Sequence, residues 1–93
     1  MMEVSFRKVL EEEMADPEFK SAYDALEQEF SIAQALIDAR SAAGMTQAEV
    51  AKKLGVSHPV VARMESGRNI SIKSIARYAT AVGRPIRLEI LPA

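Results

Sequence analysis

The chain has 93 residues, 48% of them hydrophobic, which is enough for one small domain with a modest core. It has no cysteine and one histidine, so we expect no disulfide, no metal and no cofactor. Charges interrupt the apolar residues of the N-terminal segment, which argues against a signal peptide or membrane span, and the absence of cysteine favours a reducing cytoplasm. No nucleophile, base and orienting group come together in the pattern, so an enzyme is not expected.

The net charge of −1 hides an asymmetry along the chain. Residues 1–30 contain nine acidic and three basic side chains, a net charge of −6, whereas residues 31–93 contain nine basic and four acidic ones, a net charge of +5. An acidic arm on a basic body predicts two partners of opposite charge, and the basic body suits a polyanion. The alternative is ordinary solvated surface.

The arm begins with apolar residues spaced among charges over residues 3–14, which is compatible with a short amphipathic helix or with a segment that orders on binding. Asp16 and Pro17 then have the residue types of a helix N-cap and first position, so a helix is predicted from Pro17. The predicted apolar side of this helix consists of Phe19, Ala22, Tyr23 and Leu26.

Four further helices are predicted, each ended by a glycine. The first spans residues 31–43, the second begins at Thr46 with the Thr46–Glu49 capping-box spacing, the third follows Ser57, and the fourth follows Ser71. Their predicted inward residues are Ile32, Ala35, Leu36, Ala39, Val50, Ala51, Leu54, Val60 or Val61, Met64, Ile72, Ile75, Ala76, Ala79 and Val82.

After Pro85 the pattern changes to alternation, with Ile86, Leu88 and Ile90 separated by single charged residues. That period is typical of a half-buried β-strand. No second strand is evident in the chain, so we expect this one to pair with its copy in a homodimer.

The two short segments that meet at Gly55 are typical of a helix-turn-helix, in which the second helix enters the major groove of DNA. A generic helical hairpin is the alternative. Arg63 could form a bidentate contact with guanine, and His58 either contacts DNA or is merely exposed. The predicted base-reading residues are Ser57, His58, Pro59, Ala62 and Arg63, and the predicted phosphate contacts from "ESGRNISIK" are Arg68, Asn69, Ser71 and Lys73.

The stretch "RSAAGMTQAEVAKKLGVSHPVVARMESGR" resembles the Xre/Cro/phage-repressor helix-turn-helix, and the resemblance runs from about Ser31 to Val82. It implies an all-α fold with a compact five-helix, lambda-repressor-like domain. It also implies a phosphate contact for Gln47 and a structural salt bridge between Arg40 and Glu65. His58 departs from the glutamine that many members have there, so their base preference cannot be transferred.

The whole layout resembles HigA-type antitoxins, whose usual toxin is a small basic ribonuclease related to RelE. This implies an antitoxin that also represses its own promoter, as a dimer on a palindromic operator. Residues 1–30 would be the toxin-binding arm, 31–83 the DNA-binding domain and 84–93 the dimerisation strand. Candidate toxin anchors are Val4, Phe6, Leu10, Phe19 and Tyr23, which could instead pack onto the domain. A repressor without a toxin partner is the alternative function.

Overall fold

Residues 5–92, which the computed structural model describes, form five α-helices. They are α1 (Phe6–Met14), α2 (Pro17–Ala42), α3 (Gln47–Leu54), α4 (His58–Met64) and α5 (Ile72–Ala81). The all-α prediction is confirmed. The count of five includes α1, so the predicted domain over 31–83 contains four helices, the first of which is the second half of α2.

α2 is one continuous helix of 26 residues, so the prediction of separate helices before and after residue 30 is wrong. Neither glycine nor proline interrupts this stretch, and a change in charge along a helix does not break its backbone hydrogen bonds. The Asp16 side chain caps the N-terminus by accepting from the Glu18 amide at 2.9 Å. At about 1.5 Å per residue α2 is about 39 Å long, which explains the elongated molecular extents of 53 × 34 × 21 Å.

The core lies where α3, α4, α5 and the C-terminal half of α2 meet. Its buried hydrophobic side chains are Leu36, Val50, Ala51, Val61, Tyr78, Ala81 and Val82. Two residues predicted to face inward, Ala35 and Ile72, are instead exposed, and of the alternatives Val60 and Val61 only Val61 is buried. Ala35 lies at the edge of the apolar stripe of α2, and Ile72 is in the first turn of α5, beyond the packed layer.

α1 packs against α2, outside this core. Val4, one of the predicted toxin anchors, lies outside the described residues. None of the helices within residues 5–92 is long and apolar enough to cross a membrane.

The C-terminal segment follows α5 after Gly83 and, over residues 84–92, is neither helical nor paired as a β-strand in the single chain. The predicted strand residues Ile86, Leu88 and Ile90 are exposed. A strand needs a partner to complete its hydrogen bonds, so the predicted pairing requires a second subunit.

Candidate nucleic-acid interface

The site is built on the turn between α3 and α4. A capping box starts α3: the Thr46 hydroxyl accepts from the Glu49 amide at 3.1 Å, and the Glu49 carboxylate accepts from the Thr46 amide at 3.1 Å. Gly55 ends the helix with φ of +70°, a conformation that costs glycine little. The chain reverses there, and Val50, Ala51 and Val61 are buried between the two helices.

α4 presents its other face to solvent. All five predicted base-reading residues are exposed on this helix and its N-cap: Ser57, His58, Pro59, Ala62 and Arg63. Ser57 occupies the N-cap, yet within residues 5–92 its side chain accepts no capping hydrogen bond, so its hydroxyl is available to a ligand. The short helix therefore turns Val61 inward and exposes His58 and Arg63, polar side chains that could reach base edges if the helix entered a groove.

Gln47, the first residue of α3, links the two helices through its side-chain amide. Its Nε2 donates to Glu65 Oε1 at 3.0 Å, and its Oε1 lies 2.7 Å from His58 Nε2. An amide nitrogen has two protons, and the bond to Glu65 uses one of them. The second proton is the one that could reach a phosphate.

Glu65, directly after α4, is the centre of a buried polar cluster. Arg40 donates to it twice, from Nε to Oε2 at 2.9 Å and from a terminal nitrogen to Oε1 at 3.0 Å. The Tyr78 hydroxyl lies 2.7 Å from Oε2. Only 3% of the Glu65 side chain and 18% of the Arg40 side chain are exposed. The pair therefore binds α2 to the end of α4 and is a structural element rather than a base reader.

Burial and hydrogen bonding act on the pKa of Glu65 in opposite directions. Desolvation raises its pKa, but the hydrogen bonds from Arg40, Gln47 and Tyr78 favour the carboxylate and together lower its pKa below the usual 4.5. The pKa of Arg40 is raised, chiefly by its hydrogen bonds to Glu65. Desolvation, followed by the hydrogen bond to Glu65, raises the pKa of Tyr78. The directions of these three pKa shifts mean that the cluster favours a charged Glu65–Arg40 pair beside a neutral Tyr78 hydroxyl.

Tyr78 is the member of this cluster that sequence reasoning missed. It is fully buried, and its hydroxyl also lies 3.2 Å from the Leu36 carbonyl oxygen. Its spacing from Ile75 and Val82, three and four residues, was a usable signal for an inward position. A buried tyrosine hydroxyl needs a hydrogen-bond partner, and the glutamate after α4 provides one.

The loop between α4 and α5 carries the predicted phosphate contacts. Arg68, Asn69, Ser71 and Lys73 are all exposed there, around the N-terminus of α5. Ser71 caps α5 by accepting from the Ser74 amide at 3.1 Å. The Arg68 guanidinium lies 3.8 Å from the Glu29 carboxylate of α2. The loop is thus bordered by α2, whose N-terminal half belongs to the arm of residues 1–30.

Gly67 sets the position of this loop against α2. It has φ of +72°, and a Cβ at this position would overlap the backbone carbonyl of Glu29. Glycine is therefore required here both by backbone conformation and by the close approach of α2. The backbone of α2 and that of the loop between α4 and α5 are therefore in direct contact.

Together, the helix-turn-helix, the exposed face of α4 and the basic loop beside it define a DNA-binding regulator. The chain belongs to the helix-turn-helix family HTH_3, whose model matches residues 36–88, and it is of the Xre type. Phe6, Leu10, Phe19 and Tyr23, the arm candidates within the described residues, lie on α1 and the N-terminal half of α2 and are not part of this interface. No group of three or more histidine, aspartate or glutamate side chains in the described part of the chain could hold a metal ion.

Among curated proteins the chain is similar to antitoxin HigA1 of Mycobacterium tuberculosis, in strains CDC 1551/Oshkosh and H37Rv. Identity to each is 34% over 77 residues, which is 82% of this chain and 52% of the relative. The chain thus spans about half the length of the curated relatives it matches. No solved structure matches it.

Proposed function

We propose that the protein is the antitoxin of a toxin–antitoxin pair and represses its own promoter. The observation that carries this proposal is the similarity to antitoxin HigA1, which extends beyond the DNA-binding domain to 82% of the chain. The arm adds support, because its net charge of −6 suits a cationic partner rather than DNA. The toxin would be a basic ribonuclease related to RelE and HigB.

On the DNA side, α4 would enter the major groove of a palindromic operator. Gln47, Arg68, Asn69, Ser71 and Lys73 would contact phosphates, and Ser57, His58, Pro59, Ala62 and Arg63 would face the base edges. The exposure of all five residues on α4 and its N-cap supports this assignment. A dimer would place two copies of α4 about one DNA turn, roughly 34 Å, apart.

The dimer would form through residues 84–93. Ile86, Leu88 and Ile90 are large apolar side chains exposed in the single chain, and pairing with a second copy would bury them and complete the backbone hydrogen bonds. Deleting residues 86–93 should therefore give monomers in sedimentation velocity. Persistent dimers would exclude the tail as the interface.

On the toxin side, the arm would supply apolar anchors surrounded by acidic groups. Of the candidates, Phe6 is exposed, whereas Leu10, Phe19 and Tyr23 are half-buried. Val4, the remaining candidate, precedes the described residues.

The deciding experiment is expression of the protein encoded by the adjacent reading frame, alone and together with this chain. Growth arrest by that protein alone, relief by co-expression and co-purification of the two would support the antitoxin function. A harmless neighbour, or no complex, would leave a stand-alone Xre-type repressor as the function. Binding of the purified chain to its own promoter tests the repressor half separately.

A further inference from the structure

α2 carries two large apolar side chains that the fold leaves uncovered. Leu26 and Phe30 are 60% and 69% exposed, respectively, and are four residues apart, so they form one ridge on the helix. Phe19 and Tyr23 continue the same stripe toward the N-terminus. Their rings are stacked with centroids 6.3 Å apart, and both residues are half-buried. The most accessible apolar surface of α2 is therefore not at the predicted anchors Phe19 and Tyr23.

This ridge is separate from the face of α2 that borders the C-terminal segment. The groove between α2 and residues 88–92 is lined on the helix by Asp24, Glu27, Gln28, Ser31 and Ile32, and neither ridge residue takes part. Residues 88–92 therefore do not cover the ridge in the single chain.

Two glutamates flank the ridge. At about 100° per residue, Glu27 and Glu29 lie about 80° to either side of the line through Leu26 and Phe30. Glu29 lies 3.8 Å from Arg68 and is partly neutralised by it, whereas Glu27 is exposed and lies between the ridge and the groove that residues 88–92 border. An apolar centre with an acidic rim is complementary to a cationic surface that has an apolar pocket.

We propose that the ridge formed by Leu26 and Phe30, with Glu27 and Glu29 at its edges, is the docking surface for the cationic toxin. This inference rests on the proposed antitoxin function and specifies its contact surface. A second copy of the chain is a poorer occupant, because it would bring another arm of net charge −6 against the first.

The test uses the full chain and, as the probe, the protein encoded by the adjacent reading frame. Leu26→Ser with Phe30→Ser should weaken the complex by at least about 30-fold, because central apolar anchors dominate interface affinity. Ile72→Ser is the matched control. The exposed fraction of Ile72, 61%, is close to the 60% of Leu26, but Ile72 lies on α5. All variants replace exposed side chains, and circular dichroism should confirm an unchanged helix content.

The charge part of the proposal has its own pair of variants. Glu27→Lys should lower the affinity by about tenfold and reduce its dependence on salt, whereas Asp38→Lys, the same charge reversal three helical turns further along α2, should leave both unchanged.

Three other results would overturn the inference. Wild-type affinity for the Leu26→Ser/Phe30→Ser variant would reject the ridge while the antitoxin function stands. Conversion of dimers to monomers by that variant would make the ridge a self-association surface. Absence of any complex with the wild-type chain would reject both the proposed function and the ridge.

Discussion

His58 Nε2 lies 2.7 Å from Gln47 Oε1, which joins the first residue of α4 to the first residue of α3. Because the Gln47 amide nitrogen donates to Glu65, its oxygen is the atom that faces the imidazole, and Nε2 is then the protonated ring nitrogen. Only Nδ1 remains to contact DNA. The polar cluster around Glu65 therefore fixes the orientation of a residue on the DNA-binding face.

From this geometry, His58→Ala should abolish the preference at one base pair of each half-site, at a cost of about 1 kcal/mol. Gln47→Met keeps the side-chain length but releases the imidazole, so it should relax the preference at the same base pair. Titration of duplexes changed one base pair at a time would measure both effects. If the Gln47→Met variant keeps the same base preference, the hydrogen bond with Gln47 is not needed to orient the His58 imidazole.

Arg63 should contribute affinity for a particular base, whereas Lys73 should contribute affinity that does not depend on the DNA sequence. Arg63→Ala removes the possible bidentate contact with guanine and should cost about 1–3 kcal/mol at one position. Lys73→Ala should weaken binding to all duplexes alike and reduce the slope of log affinity against log salt by about 1. Equal losses on operator and unrelated duplexes for Arg63→Ala would reject its base-reading role.

The turn and its helices could be predicted because their signals are local. The capping-box spacing of Thr46 and Glu49 and the glycine at position 55 each act within a few residues of the backbone they shape. The outward face of α4 was equally predictable, since the buried Val61 and half-buried Met64 leave only the opposite side for the polar residues.

One error is local, and the others concern contacts between distant parts of the chain. The polarity change near Phe30 contains no backbone-breaking residue, so α2 continues through it. Ile72 fits the apolar period of α5, but its exposure depends on where the neighbouring helices end. Tyr78 joins Leu36 and Glu65 across separations of 42 and 13 residues, which no local pattern encodes.

The polar cluster predicts a loss of stability in acid. The folded state lowers the pKa of Glu65, so the cluster's contribution is present above about pH 4.5 and is lost as the pH falls and the carboxylate is protonated. The melting temperature should decrease over that range. Glu65→Gln should flatten this dependence while costing about 3 kcal/mol at neutral pH, because it leaves Arg40 without its counter-charge. If the Glu65→Gln variant loses as much stability in acid as the wild type, that loss comes from other carboxylates.

The raised pKa of Tyr78 predicts a second loss of stability, at alkaline pH. Its pKa is raised in the folded state above the usual 10.0, so its contribution is complete below that pH and is lost above it, where the unfolded chain ionises first. Tyr78→Phe should remove this alkaline loss and also destabilise the protein by about 1 kcal/mol at neutral pH through the lost hydrogen bond to Glu65. Unfolding by urea at pH 7 and above pH 10 would measure both terms. An unchanged loss of stability at alkaline pH would contradict the assignment.

The contact between Gly67 and α2 can be separated from the general cost of a left-handed glycine. Gly67 and Gly83 have φ of +72° and +70°, but only Gly67 would place a Cβ against the carbonyl of Glu29, while Gly83 has open space. Gly83→Ala should therefore cost about 1 kcal/mol of unfolding free energy, and Gly67→Ala about 3 kcal/mol. Displacing the loop would also move Arg68, so Gly67→Ala should weaken DNA binding under conditions where the protein is still folded, and Gly83→Ala should not. If urea denaturation shows the same loss of unfolding free energy for both variants, the loop moves away from α2 without a further energetic cost. The packing of α2 would then not determine the position of the predicted phosphate contacts.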